Sequence, residues 1–499
     1  MEFWLGHGGS MVVLGVYFAS TLIVGLVAWR YFPSSDPEGY VVGGRGMGWL
    51  VAAMTLMATQ YSALTFLGFP GTIYRTGLGG YVAITGMYIG VSALYWILFA
   101  VRTWKLGRTF GHMTPADTFA DFYGSKTVGT VLAALLIATL IPYIQAQIIG
   151  IAYLLKIATG DRISFKVGTT AVYLLMITYV FMGGLRAVAW TDTLQGVLLL
   201  AGLVVGALAV SYASSGGPRE ALAKLSEERG EWLTLPGPGN AWTWMYLISF
   251  SVSVGLGWPM QPQMWLKMHI PRSANFIRLW PLWVTLSFPL VMGAALLVGL
   301  TGQAVKPGLT EREATDTIML TMLLEHFPPL LGGLVAAAGL AAMMSTVSSQ
   351  IHSVGASVGR DFVVRWWGHL DGRRQLLLIR ASVVAVGLVG LYLSLSQPDV
   401  LTKLGVFSAA WAAQAAPPAV AALLGLRWAT RWGALAGPLI GSIVLFAVGL
   451  YGENYQWQGV YAGLWGLAAN AACFVLFSLL TPKARPEAAT VTRYRLVGW

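Results

Sequence analysis

A row of hydroxyls on a small-residue segment is the feature of this chain best suited to chemistry. In AAAGLAAMMSTVSSQIHS, from Ala336 to Ser353, the residues Ser345, Thr346, Ser348 and Ser349 crowd together. At about 3.6 residues per turn, Ala342, Ser345, Ser349 and His352 share one stripe, with Thr346 and Ser348 beside it. Hydroxyl and carbonyl oxygens suit a hard cation, and small residues let a second backbone come close. The stretch therefore reads as one wall of a sodium site. The plain alternative is packing, since Ser and Thr in apolar helices often bond back to the i−4 carbonyl or to a neighbouring helix. Transition-metal chemistry is not supported: there is one cysteine, Cys473, and the histidines His7, His112, His269, His326, His352 and His369 are scattered.

Three further stretches carry candidate groups. Asp192, in GGLRAVAWTDTLQGVLLLAGLVVG, is an ionisable residue at the edge of an apolar run. It reads either as an interfacial N-cap or as a carboxylate ligand to a cation. The stretch MATQYSALTFLGFPG places Thr59, Gln60, Ser62 and Thr65 among apolar neighbours, with Pro70 near its end. The stretch VGLGWPMQPQMW brings Gly255, Gly257, Pro259 and Pro262 close together. Both read as interrupted helices, whose unwound carbonyls can bind ions. Gly and Pro are also simply frequent in membrane helices, which is the plainer reading of either break alone.

The elements that must position these groups are membrane spans. The 499 residues are 56% hydrophobic and 10% charged, with mean hydropathy +0.67, a polytopic composition. Apolar runs of roughly 20 residues begin near Met11, Gly48, Gly80, Val128, Phe165, Trp190, Trp242, Trp280, Leu330, Leu376, Lys403, Trp432 and Gly459, which predicts an all-α protein of about thirteen transmembrane helices. The interrupted spans are the second and the seventh, five apart. The whole chain, 1–499, reads as one integral membrane domain. Its first helix lies at about 11–32, the core at about 48–428, two C-terminal helices at about 432–481 and a tail at 482–499. Short surface helices are expected around Arg219–Arg229 and between Thr310 and Phe327.

The net charge of +11 is a topological signal rather than a nucleic-acid one. One set of alternate loops carries Arg30, Arg45, Arg102, Lys105, Arg108, Lys126, Arg186, Lys267, Arg272, Arg278, Arg360, Arg365, Arg373, Arg374, Arg380, Arg427, Arg431 and the basic tail. The other carries about half as many, from Arg75 to Lys403. The richer set is expected in the cytoplasm, with the N-terminus outside and the C-terminus inside a cell membrane, the inner membrane in a bacterium. No GxxxxGK, HExxH or GxSxG motif points to ATP hydrolysis, zinc proteolysis or serine hydrolysis, so no enzyme is expected.

Three segments resemble the sodium:solute symporter family: VGGRGMGWLVAAMTLMATQYSALTFLGFPG from Val42, GGLRAVAWTDTLQG from Gly183, and GLAAMMSTVSSQIHSVGASVGRDF from Gly339. IPYIQAQIIG from Ile141 is similar to the monocarboxylate-transporting branch. The resemblance implies a leucine-transporter-like core of two inverted five-helix repeats, helices two to six and seven to eleven. It also implies a first sodium site from the carbonyls of Ala58, Tyr61 and Ala342 and the hydroxyls of Ser345 and Thr346. Some members have a second sodium site, matched here by Asp192, Ser345, Ser348 and Ser349. Substrate is expected near the bilayer midplane beside the broken helix, at Thr59, Gln60, Ser62 and Thr65, with Gln145 or Gln147 and Trp258. In proline-transporting relatives an aspartate occupies the position of Gln60, so its absence points to a neutral or carboxylate solute.

The function these features imply is sodium-coupled secondary active symport of a small organic solute by alternating access, with one or two sodium ions. The expected partners are that solute and the lipid bilayer, with no nucleic acid and no organic cofactor. Proton coupling through Asp192 or His352 is the nearest alternative. An uncoupled channel or facilitator is the next, and a membrane sensor the third.

Overall fold

The computed structural model describes residues 7–367, 370–396, 401–452 and 455–498; His369 lies outside them, as do the side chains of Arg312 and Lys403. Sixteen helices among the described residues carry the architecture. They are α1 (Gly8–Tyr31), α2 (Trp49–Gln60), α3 (Leu64–Thr76), α4 (Leu78–Phe110), α5 (Pro115–Phe122), α6 (Lys126–Thr159) and α7 (Phe165–Ser215) in the first half. There follow α8 (Trp244–Met260), α9 (Pro262–Met268), α10 (Ala274–Val305), α11 (Pro329–Trp367) and α12 (Gly372–Ser396). The chain closes with α13 (Gly405–Leu424), α14 (Arg431–Tyr451), α15 (Ala462–Leu480) and α16 (Ala488–Gly498). Short helices at Pro218–Arg229 and Ile318–His326 stand in the two expected surface links.

Starts are set by side-chain caps. Ser125, Ser164, Thr243 and Thr430 each accept the N–H three residues on, satisfying a donor that a helix start leaves free. Ten helices among the described residues are long and apolar enough to cross a membrane, or eleven with the α2–α3 pair, bent by 56°. The expected thirteen exceeds this by two, and the difference has two sources. At 1.5 Å per residue α7 would run about 75 Å, more than twice a bilayer core, and it turns back at Gly184. The α8–α9 pair is split by extended backbone at Gln261 (φ −62°, ψ 134°), so neither piece alone is long enough.

Gly184 needs to be glycine. Its φ of 57° and ψ of −146° lie where L side chains rarely go, and a Cβ there would sit 2.6 Å from the carbonyl oxygen of Tyr40. We expect Gly184→Ala to lower stability by about 1–3 kcal/mol, read as a lower Tm of the purified protein. An unchanged Tm would show that the turn is set elsewhere.

α11 is the central helix. Nearly every side chain from Val335 to Ser357 is buried, and the helix packs on α1, α2, α6, α7, α9 and α12. Small residues make this possible: a Cβ on Gly339 would meet Leu154 at 2.4 Å, and one on Gly202 of α7 would meet Ala338 at 2.2 Å. The hydroxyl row is thereby placed where these neighbouring helices can reach it. The face that carries Gly8 and Thr76 holds a cavity of about 390 Å³ lined by Phe69, Thr72, Trp242, Phe250 and Phe407. The opposite face, which carries α5 and α16, is tied by charge. Asp117 meets Arg360 and Arg365, both at 2.9 Å, and Arg365 also meets Asp361 at 2.9 Å.

Candidate cation and solute site

The break between α2 and α3 can be followed one hydrogen bond at a time. In a continuous helix the N–H groups of Ser62, Ala63 and Leu64 would bond to the carbonyls of Ala58, Thr59 and Gln60. Here the Ser62 N–H donates to Thr65 Oγ1 at 3.3 Å, the Ala63 N–H to Gln147 Oε1 at 2.8 Å and the Leu64 N–H to Ser62 Oγ at 3.2 Å. Three carbonyls are released in the protein interior and must be satisfied by other donors or by a ligand. The Ser345 hydroxyl donates to the Ala58 carbonyl at 2.8 Å, and the Tyr88 hydroxyl to that of Gln60 at 3.2 Å.

These bonds bring together most of the residues expected to hold the first sodium. Ser345 Oγ lies 2.8 Å from the Ala58 carbonyl and 3.0 Å from that of Ala342, while Thr346 Oγ1 lies 3.1 Å from Ala342. All are buried. Tyr61 is extended (φ −99°, ψ 120°) directly after α2, so its carbonyl leaves the helix axis. Its side chain points away, with the hydroxyl 2.9 Å from Ser287 Oγ. Four neutral oxygens at the junction of a broken helix and a small-residue helix match what a sodium ion asks of a membrane protein.

The second expected set is organised differently. Asp192 is no N-cap: it stands more than two turns beyond the Gly184 turn and is fully buried. Its Oδ2 accepts from Thr55 Oγ1 at 2.5 Å and from the Lys267 ammonium at 2.7 Å. Around the same ammonium, whose three N–H groups are shared among four acceptors, lie Ser349 Oγ at 2.7 Å, the Thr55 carbonyl at 3.1 Å and Thr59 Oγ1. Ser348 turns its hydroxyl back to the Ser345 carbonyl at 3.2 Å. The assignment of Lys267 to a solvated loop is therefore corrected. The α8–α9 break redirects the chain inward, and both Lys267 and Asp192 have no solvent exposure.

The candidate solute residues divide. Ser62 accepts from the Tyr143 hydroxyl at 3.1 Å, and Thr65 and Gln147 hold the broken backbone as described. Trp258 packs edge-on against Tyr88 (5.4 Å between centroids) and Tyr143 (5.6 Å). Gln60, Ser62, Thr65, Gln147 and Trp258 thus meet around the break, while Thr59 turns to Lys267. Gln145 is not with them. It lines a separate apolar pocket with Ile141, Val354 and Val386. Sequence reasoning missed Lys267, Thr55, Tyr88 and Tyr143. A lysine within the apolar run MQPQMWLKMHI, directly after a double-proline break, was the signal available for the first of these.

The sequence model of the sodium:solute symporter family matches residues 40–441. The chain belongs to the sodium:solute symporter family. It is 27% identical over 481 residues to the high-affinity proline transporter PutP of Bacillus subtilis, spanning 94% of this chain and 97% of that one. It is also 27% identical over 471 residues to a sodium/pantothenate symporter of Haemophilus influenzae, spanning 92% and 95%. Among solved structures it resembles a Na+-coupled sialic acid symporter, with TM-score 0.77 and 17% identity over 95% of this chain and 98% of that one; at that identity the likeness concerns the fold. This symporter is accordingly a sodium-coupled membrane transporter and not an enzyme, with sodium as its coupling ion. Its core is of the leucine-transporter type, and the broken pairs α2–α3 and α8–α9 each open one five-span repeat.

Proposed function

We propose that this symporter carries a small carboxylate solute inward, with sodium bound by Ala58, Tyr61, Ala342, Ser345 and Thr346. The observation that supports a carboxylate is a set of unpaired donors at the break. Among the described residues, Gln60 Nε2, Gln147 Nε2 and Trp258 Nε1 are buried without a hydrogen-bond partner, three donors against one unpaired acceptor on these side chains, Gln60 Oε1. Gln147 Oε1 accepts the Ala63 N–H, which orients the amide and leaves its Nε2 as the unpartnered group. Buried donors without partners, beside the aromatic rings of Tyr88 and Tyr143, suit an anion's oxygens. Gln60 stands where a carboxylate would be needed to receive an ammonium, so an amino acid such as the proline of the Bacillus relative fits less well.

The charge asymmetry of the loops supports the Gly8 face as the outer one. The cavity on that face and the charged seal on the other then describe an outward-facing state, the state in which the sialic acid symporter was captured. Sodium bound first orders the end of α2 and raises solute affinity, by a coupling free energy that acts reciprocally on both ligands. Rocking of the core then opens the opposite face.

The test is a solute panel screened for thermal stabilisation in sodium against potassium. Short carboxylates are expected to raise Tm in sodium only, and Gln60→Asp to weaken carboxylate binding at least roughly tenfold through like-charge repulsion. Stabilisation by amino acids alone, with carboxylates inert, would overturn this reading.

A further inference from the structure

The Lys267 ammonium sits against Asp192 and Ser349, two of the four residues expected to hold a second sodium. Its acceptors are Asp192 Oδ2, Ser349 Oγ, the Thr55 carbonyl and Thr59 Oγ1. They come from three helices, α2, α7 and α11, and Lys267 itself comes from a fourth, α9. The cage is a cation site by every criterion of donor chemistry: one carboxylate, two hydroxyls and one carbonyl, with Lys267, Asp192, Thr55, Thr59 and Ser349 all buried. It also adjoins the first site. Thr59 follows Ala58 on α2, and Ser349 stands one turn beyond Ser345 on α11.

We propose that the Lys267 ammonium is the resident cation of this second oxygen site and holds the place of a second sodium, so that one sodium binds per chain. Lysine and Asp192 together are neutral, as sodium and Asp192 would be, whereas lysine and sodium together leave one uncompensated charge in a buried space. Two like charges about 4 Å apart at an effective dielectric near 20 weaken binding roughly a thousandfold. The tether also makes this cation non-exchangeable. It cannot be released on the far side of the membrane, so it fastens the two broken helices to α11 without contributing to the coupled ion count.

Removing the ammonium should convert the site. In Lys267→Met the Asp192 carboxylate has one oxygen, Oδ1, that is already without a partner among the described residues and a second, Oδ2, freed of its main one. With Thr59, Ser349 and the Thr55 carbonyl it forms an oxygen set for sodium. A buried carboxylate left unpaired is costly, so this variant needs the ion to fold well.

This inference rests on sodium binding at the Ala342–Ser345–Thr346 site, and the experiment separates the two. Equilibrium binding of radioactive sodium to the purified full-length chain in nanodiscs is measured for four proteins. The wild type is expected to bind one ion with hyperbolic saturation, and Lys267→Met two. The neutral pair Asp192→Asn with Lys267→Met should return to one. Ser345→Ala with Thr346→Val should bind none, which identifies the wild-type ion as that of the first site; a wild-type ion that survives in it defeats the first-site assignment instead. Two ions in the wild type, or one in Lys267→Met, overturn the proposal. If Lys267→Met is unstable in potassium, recovery of its Tm in sodium supports the proposal. Failure in both salts, while the neutral pair folds, overturns it.

Discussion

Ser345→Ala combined with Thr346→Val will remove the stabilisation that sodium gives this symporter. Both hydroxyls lie at the junction of α2 and α11, 2.8–3.1 Å from carbonyls that the helix break or the helix interior presents. A hydrogen-bonding or ligand interaction with a charged group contributes about 1.5–3 kcal/mol, so losing two weakens sodium binding by about 10²–10⁴-fold. Sodium at about 100 times its Kd stabilises the wild type by about 2.7 kcal/mol, and at the same concentration the variant gains less than about 0.5 kcal/mol. The measurement is Tm in sodium chloride against potassium chloride. In potassium the variant remains folded, lower by about 1–3 kcal/mol because the Ala58 carbonyl loses the Ser345 hydroxyl. A sodium-dependent rise in Tm of the wild-type size would place the ion elsewhere.

The two residues chosen for that experiment are legible in the amino-acid sequence. Ser and Thr cannot hide in an apolar, alanine-rich helix, and helical periodicity alone puts them on one stripe. The broken helix is legible for a related reason, since polar residues and proline in a span leave backbone groups that need partners. Lys267 is not legible by the same route. Counting loop charges treats any lysine between apolar runs as solvated, and it has no means of knowing that the Gln261–Pro262 break turns the following helix inward. Asp192 is ambiguous because the fold-back at Gly184 lies inside a continuous apolar stretch, which displaces the true start of its helix. Gln145 and Gln147 show the limit of reading one helix alone. Two residues apart, they point about 200° from each other, so only one can face the break. Which one depends on how α6 is rotated against α2 and α11, a tertiary matter.

Asp117→Asn will unlatch the face opposite the cavity. Asp117 sits at the third position of α5, where its Oδ2 accepts the N–H groups of Met113 at 2.9 Å and Thr114 at 3.2 Å in a capping box. The same carboxylate receives Arg360 and Arg365 from the end of α11. A helix cap is thus also the anchor that ties a connecting helix to the central one. Burial alone would raise the Asp117 pKa, but the two guanidiniums outweigh it and hold it well below the usual carboxylate range. A lowered pKa means that the contribution of the Asp117 ion pairs is fully present above the ordinary value of about 3.9 and is lost only as pH falls through the depressed native value. Between pH 5 and 8 the Asp117 carboxylate is therefore expected to stay charged.

Asparagine keeps an oxygen for the cap and removes the charge, leaving Arg360 and Arg365 with Asp361 alone. Breaking a buried ion pair costs about 3–5 kcal/mol, and the low end applies because the three side chains retain 11–20% exposure. About 3 kcal/mol shifts the equilibrium between closed and open forms of this face by about 150-fold. The readout is maleimide labelling of Ser357→Cys, a buried position of α11 on this side, in a Cys473→Ser background. Asp117→Asn is expected to speed labelling by up to about 100-fold once corrected for thiol ionisation. A fall in Tm without faster labelling would show that the cluster supports only local structure, and that another contact closes this face.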